Sequence, residues 1–230
     1  MLYVENKKKK EKSILAKYPD AIIVDVTSKA TNSMVKLSPF YPIGDIPVPF
    51  SEGITAACVE AIWQGLKVFE TADVDVDLFQ NTSMKNIKRT ARKFGKPLGH
   101  RKGVKGDVLL DYLHARFLIY LPTYRWVLEN KVKHIVDRLS TSSQTKDIVL
   151  LDYETNCDPL NQNKPLSHAG LIKAFIENKY PEIQLLNSFL DNPSLFDQPK
   201  TNPSLKKKKS TRKKSSKSKS KPSDNILELF

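Results

Sequence analysis

The chain has 230 residues, of which 40% are hydrophobic and 27% are charged. That length suits one domain of about 200 residues, or two small ones, with a core that needs no disulfide or metal to fold. Two cysteines argue against a secreted disulfide scaffold, and no apolar run approaches the roughly 20 residues that span a bilayer. We therefore expect a soluble intracellular protein, cytoplasmic or, in a eukaryotic cell, nuclear.

The net charge of +13 is concentrated at the chain ends. Residues 206–221 carry nine Lys and one Arg without an acid, whereas residues 13–205 have a net charge of only +2. Such a segment has no apolar surface to bury, so we predict a basic flexible N-terminus over 1–12 and a disordered tail over 199–225. The tail is predicted to contact DNA or RNA phosphates without base specificity, and a nuclear-localisation signal or a solubilising tail is the alternative. The cations expected to bind nucleic acid are Lys207, Lys208, Lys209, Arg212, Lys213 and Lys214.

The last five residues, 226–230, form an apolar peptide after the basic tail. Their ending resembles the C-terminal peptides that dock into replicative sliding clamps, with Leu227, Leu229 and Phe230 at the matching positions. The Gln that precedes such peptides is absent. A sliding clamp is therefore a candidate partner, and a chance ending is the alternative.

The body of the chain favours an α+β fold, a mainly helical single domain over 13–198 with a small central sheet. Residues 21–26 and 147–153 are apolar and β-branched, which predicts two buried strands. Residues 38–50 hold four prolines and a glycine, which predicts a rigid irregular loop. Stiff loops with aromatic side chains often line pockets.

Helical periodicity predicts five helices. They cover residues 54–69, 82–94, 108–139, 168–179 and 182–190. The side chains that can cap three of them are Ser51 or Thr55, then Asp107, then Ser167. Pro122 should kink the long segment, in which Tyr120 and Tyr124 are expected to face inward.

One face of the 54–69 helix carries polar side chains at helical spacing. Glu60, Gln64 and Lys67 lie at i, i+4 and i+7, with Trp63 beside them. A partly desolvated carboxylate has a raised pKa that suits proton transfer, and a lysine one turn away can hold a phosphate. An ordinary solvated face is the alternative.

A basic, glycine-rich stretch follows, with nine Lys or Arg and no acid over 85–106. It matches neither the P-loop nor GxGxxG, but glycines and cations together can approach a phosphate of a nucleotide or of a nucleic acid. A solvated loop balanced by the acids of 70–77 is the alternative. We predict no metal and no cofactor, because His100, His114 and His134 lack ligand spacing.

The loop SPFYP at 38–42, the helix that carries Glu60 and the turn ARKFG at 91–95 together resemble the NADAR or YbiA-like superfamily of N-glycosidases. The loop SPFYP matches through Ser38, Phe40, Tyr41 and Pro42, the helix matches through Glu60, Gln64 and Lys67, and ARKFG at 91–95 resembles the turn of that family. Departures are Pro39 for Asn, Ala61 for His, and no Trp-Gly near the C-terminal acid. Asp152, Glu154 and Asp158 therefore compete for that acid.

The resemblance implies hydrolysis of an N-ribosyl bond in a nucleotide-like or ADP-ribosylated substrate, the latter on guanine or nucleic acid. It implies Glu60 as the carboxylate that stabilises the oxocarbenium-like state or activates water, with Asp152 or Asp158 as the second acid. The substrate-binding residues it implies are Gln64 for ribose or water, Lys67 and Arg92 for phosphate, and Phe40, Tyr41 or Trp63 for the base. A catalytically inactive nucleotide- or nucleic-acid-binding adaptor, clamp-associated or viral, is the rival hypothesis.

Overall fold

A computed structural model describes residues 1–192. Residues Met1–Asn187 form one compact unit, and a second unit begins at Ser188. The strands of the described chain are β1 Leu2–Asn6, β2 Ile22–Asp25, β3 Ile46–Pro47, β4 Thr55–Ala56, β5 Lys67–Phe69, β6 Pro97–Arg101, β7 Leu109–Leu110 and β8 Ile148–Asp152. The α-helices are α1 Glu11–Leu15, α2 Val59–Gly65, α3 Ala91–Phe94, α4 Tyr112–Ala115, α5 Leu121–Asn130, α6 Lys133–Thr145, α7 His168–Ile176 and α8 Ile183–Asp191.

The described chain is a mixed α+β fold with three small sheets rather than a single central one. The sheet that leads to the site is parallel and has the order β1-β8-β2. Every residue of β8 is buried, which explains why its sequence is a continuous apolar run. The predicted strands over 21–26 and 147–153 are thus confirmed as β2 and β8, but only β8 is fully buried, since β2 lies at the edge of the sheet and buries only Val24.

The prediction of a flexible basic N-terminus over 1–12 is wrong. Residues Leu2–Asn6 form β1, which pairs along its whole length with β8. Glu5 is buried there and accepts hydrogen bonds from Lys17 over 2.8 Å and from Lys9 over 2.5 Å. Burial favours the neutral acid, but the bonds from Lys17 and Lys9 outweigh it and lower the pKa of Glu5 to about 2. Lys7, one of the lysines that suggested a solvated segment, forms an ion pair with Asp25 of β2 over 2.5 Å and so helps to hold the segment on the domain.

The helix predicted over 54–69 is real but shorter. Its actual N-cap is Cys58, whose Sγ accepts the N–H of Ala61 over 3.3 Å, and the residues before it belong to β4. The helix ends at Gly65, where a Cβ would collide with the ring of Phe79, and β5 follows. The apolar residues that predicted one long helix therefore lie in β4, α2 and β5.

The basic segment is also less helical than predicted. Residues 82–90 are irregular, only Ala91–Phe94 form a helical turn, and Pro97–Arg101 form β6 instead of a loop. Residues Ser33–Leu37 form a 3-10 helix.

The long helical segment begins at Tyr112 and runs without a break to Asn130. Asp111, rather than Asp107, caps it by accepting the N–H groups of Leu113 and His114. Residues Arg116–Tyr120 are π-helical, and Pro122 lies directly after them inside the continuous helix, so the helix departs from α geometry beside the proline without breaking. The break comes instead between Asn130 and Lys133.

The C-terminal helices follow the prediction closely. Ser167 caps α7 by accepting the N–H of Gly170 over 3.1 Å, as expected. Among residues 1–192, no helix is both long and apolar enough to cross a membrane. The predicted tail and the peptide 226–230 lie outside the described residues.

Candidate functional site

A cavity of about 420 Å³ lies within the compact unit. Its walls come from α2, the loop 38–40, the segment 88–90, the helix around 112–120 and the residues that follow β8. This volume falls in the range of about 300–1,000 Å³ that is typical of small-molecule sites.

The structure brings together seven of the sequence-predicted site residues. Those that line the cavity are Phe40, Glu60, Trp63, Gln64, Lys67, Asp152 and Glu154. Tyr41 is not part of the lining, and Arg92 is exposed on α3 while Lys88 and Arg89 reach the cavity instead. Asp158 is exposed as well, and its Oδ1 accepts the N–H of Leu160 over 2.9 Å.

Glu60 is a buried carboxylate, 8% exposed, on the cavity wall. Its Oε1 accepts a hydrogen bond from Gln64 Nε2 over 2.9 Å, and no donor within residues 1–192 is bonded to its Oε2. Burial raises the pKa of Glu60, although the Gln64 hydrogen bond and the charges of Lys88 and Lys67 counteract part of that effect. The result is a fixed carboxylate with one free oxygen and increased basicity.

Lys67 and Lys88 supply positive charge to the same cavity. Burial lowers the pKa of Lys67, with Glu60 opposing the change. Lys67 Nζ lies 5.7 Å from the centre of the Trp63 ring, and Lys88 Nζ lies 5.6 Å from that of Phe40. Neither ammonium forms an ion pair within the described chain, so both can bind an anionic group.

Trp63 lines the cavity, and the ring of His100 packs against its indole. The ring centres of Trp63 and His100 are 3.8 Å apart with a 33° tilt. His100 is 2% exposed and both of its ring nitrogens lack a partner in the described structure. Burial, with a contribution from Lys67, lowers the pKa of His100 to about 3, so it packs as a neutral ring.

Asp152 lines the cavity, but its oxygens are already occupied. Oδ2 accepts hydrogen bonds from Ser167 Oγ over 2.8 Å and from Ala169 N over 3.3 Å, and it lies 2.9 Å from His168 Nδ1. Oδ1 accepts the N–H of Tyr153 over 2.7 Å. Burial alone would raise the pKa of Asp152, but its bonds with His168 and Ser167 prevail and lower it. Asp152 therefore anchors the start of α7.

Arg116 lines the cavity but was not predicted from the sequence. It is 2% exposed, and its Nη1 donates to the carbonyls of Pro159 over 2.7 Å and of Asn161 over 2.8 Å. Its Nη2 donates to Tyr112 Oη over 3.0 Å and to Lys164 O over 3.2 Å. The guanidinium thus fixes the loop that follows β8 beside the cavity. An arginine within an otherwise apolar helical stretch is the one hint in the sequence.

A family model described as "Family of unknown function (DUF6939)" matches residues 6–172, close to three quarters of the chain. The chain belongs to this family. The match spans every residue that lines the cavity, from Thr27 to His168. Neither the curated proteins nor the solved structures include a significant match.

Proposed function

We propose that the protein is an N-glycosidase-type hydrolase that acts on the N-ribosyl bond of a nucleotide-like or ADP-ribosylated substrate. The observation that carries the proposal is Glu60, a buried carboxylate held through one oxygen by Gln64 and open to the cavity through the other. Its raised pKa suits a group that accepts a proton from water. The NADAR resemblance of the SPFYP loop and of the α2 side chains gives independent support.

The cavity offers a role for each part of such a substrate. A base would stack on Trp63, and Lys67 and Lys88 would bind phosphate. Water activated by Glu60 would attack C1′ of the ribose while the C1′–N bond breaks toward the base, which takes up a proton. The developing positive charge on ribose lies near the carboxylate that best stabilises it.

A binding adaptor without catalytic activity is the second candidate, and one observation favours it. Glycosidases generally use two carboxylates, whereas Asp152 is saturated by hydrogen bonds and Asp158 lies outside the cavity lining. Glu154, the third candidate, lines the cavity but is exposed, so it lacks the burial that suits a carboxyl group to act as a general acid. Under this alternative the cavity binds the same nucleotide-like ligand and releases it unchanged.

Product analysis by mass spectrometry separates the two candidates. The substrates are DNA carrying ADP-ribosyl-guanine, NAD and pyrimidine ribosylamine phosphates. Wild type should release a free base that Glu60→Gln does not release, while the matched control Glu52→Gln, at an exposed site, should behave as wild type. Binding of the same compounds without release of base would favour the adaptor.

The proposed macromolecular partners rest on the sequence alone. We propose that the basic tail holds the protein on DNA or RNA and that Leu227, Leu229 and Phe230 bind a sliding clamp. Replacing Leu229 and Phe230 with Ala should abolish capture of the full chain by a purified clamp, and unchanged capture would dismiss the clamp as a partner.

A further inference from the structure

The hydroxyl group of Tyr120 has no hydrogen-bond partner among residues 1–192, unlike those of the neighbouring Tyr112 and Tyr124. The residue ends the π-helical segment Arg116–Tyr120, is half-buried and lines the cavity. Tyr112 Oη accepts a hydrogen bond from Arg116 over 3.0 Å, and Tyr124 Oη donates one to the carbonyl of Leu37 over 2.6 Å. No group within residues 1–192 is hydrogen-bonded to the Tyr120 hydroxyl. π-Helical segments are frequent at functional sites.

Neighbouring aromatic rings hold the ring of Tyr120 in place, although its hydroxyl has no hydrogen-bond partner among residues 1–192. Its centre lies 5.7 Å from that of Trp63 at an angle of 76°, and 6.3 Å from that of Tyr124 at 18°. Burial, followed by the negative charges of Glu60 and Asp152 among other groups, raises the pKa of Tyr120 well above its usual value. The hydroxyl is therefore a neutral hydrogen-bond donor fixed on the same cavity as the proposed catalytic carboxylate.

We propose that the Tyr120 hydroxyl binds the ligand by donating a hydrogen bond to one of its oxygen or nitrogen acceptors. The inference rests on the proposed function for the nucleotide-like class of ligand. A polar group that the protein leaves unpaired in an enclosed site discriminates against ligands that lack the matching atom. Tyr120 thus selects ligands with an acceptor at this position, such as a ribose hydroxyl or a base carbonyl.

Tyr120→Phe removes the hydroxyl and leaves the ring. Because that hydroxyl has no hydrogen-bond partner among residues 1–192, the melting temperature should stay within about 1 °C of wild type. The matched control Tyr124→Phe removes a donor from the buried Leu37 carbonyl and should lower the melting temperature by about 2–4 °C. ADP-ribose affinity, measured by calorimetry on the full chain, should fall about 10–100-fold in Tyr120→Phe.

Two results would overturn this inference alone. One is a fall in melting temperature for Tyr120→Phe as large as that for Tyr124→Phe, which would mean that the hydroxyl supports the fold. The other is an unchanged ADP-ribose affinity in a variant whose wild type binds. If wild type does not bind ADP-ribose, the affinities are measured with NAD and with a pyrimidine ribosylamine phosphate. Absence of binding to all three means that the ligand class of the proposed function fails and overturns the Tyr120 inference with it, whereas binding that is equal in wild type and Tyr120→Phe overturns the Tyr120 inference alone.

Discussion

Gln64 donates a hydrogen bond from Nε2 to Oε1 of Glu60 over 2.9 Å, one turn away on α2. The same amide uses its Oε1 to accept the backbone N–H of Arg89 over 3.1 Å. Gln64 therefore links the carboxylate to the basic segment on the neighbouring wall. Because one Glu60 oxygen is fixed in this way, the orientation of the other is fixed too.

Gln64→Leu should destabilise the protein by about 1–3 kcal/mol, because it leaves two buried polar groups without their partner. Those groups are Glu60 Oε1 and the Arg89 N–H. Urea unfolding at neutral pH measures the change. Gln144→Leu, at an exposed position of α6, is the control, and its free energy of unfolding should stay within about 0.5 kcal/mol of wild type. Equal midpoints for the two variants would contradict the link.

The raised pKa of Glu60 predicts a pH dependence of stability. The folded protein holds the proton more tightly than the unfolded chain, in which the pKa is near its ordinary 4.5. Wild-type stability relative to Glu60→Gln should therefore fall as pH rises from about 4.5 through the folded-state pKa, with a slope of up to about 1.4 kcal/mol per pH unit. Denaturation of both proteins across that window tests it, and a rising difference would contradict it.

Asp152→Asn should cost about 3–5 kcal/mol at neutral pH, because it removes the anion from a buried network. The pKa of Asp152 is lowered in the folded state, so its stabilisation is full above the ordinary 3.8 and is lost as pH falls through the folded-state value. Asp158→Asn, on the exposed loop, should change stability by less than about 0.5 kcal/mol and leave turnover intact. Loss of turnover in Asp158→Asn at full stability would restore it as the second acid.

Nucleic-acid binding should depend on the tail. Replacing its nine Lys and one Arg over 206–221 with Gln should reduce the salt dependence of duplex DNA affinity, since each neutralised phosphate contributes about 0.9 to the slope. Fluorescence anisotropy at several salt concentrations measures that slope. The comparison variant replaces four exposed lysines of the body, Lys93, Lys96, Lys102 and Lys105. A slope lost only in this second variant would transfer the contact to the basic 85–105 segment.

Elements with local signals were predictable from the sequence. The strand β8 is buried along its whole length and so is a continuous apolar run, and Ser167 marks the start of α7 by its own hydroxyl. The ends of α2 were not predictable, because β4 and β5 continue its apolar pattern and the helix stops where Phe79 packs on Gly65.

The candidate site shows the same division. Glu60, Gln64 and Lys67 are spaced along one short segment, so the sequence could group them before any fold was known. The role of Asp152 depends on Ser167 and His168, which fold back onto it from beyond a loop. The role of Arg116 depends on the carbonyls of a loop more than 40 residues away, and that of Tyr120 on a hydroxyl without a partner among residues 1–192. Helical periodicity in the sequence indicates neither.

Hydrolysis in H₂¹⁸O tests the central claim most directly. Wild type and Glu60→Gln would be incubated with the three classes of N-riboside, and the sugar product would be weighed by mass spectrometry. We predict that wild type releases the base and a ribose product with one ¹⁸O at C1′, and that Glu60→Gln releases neither. Failure of the folded wild type to release base from any of them, or equal release by both proteins, would contradict the assignment of Glu60 as the catalytic carboxylate.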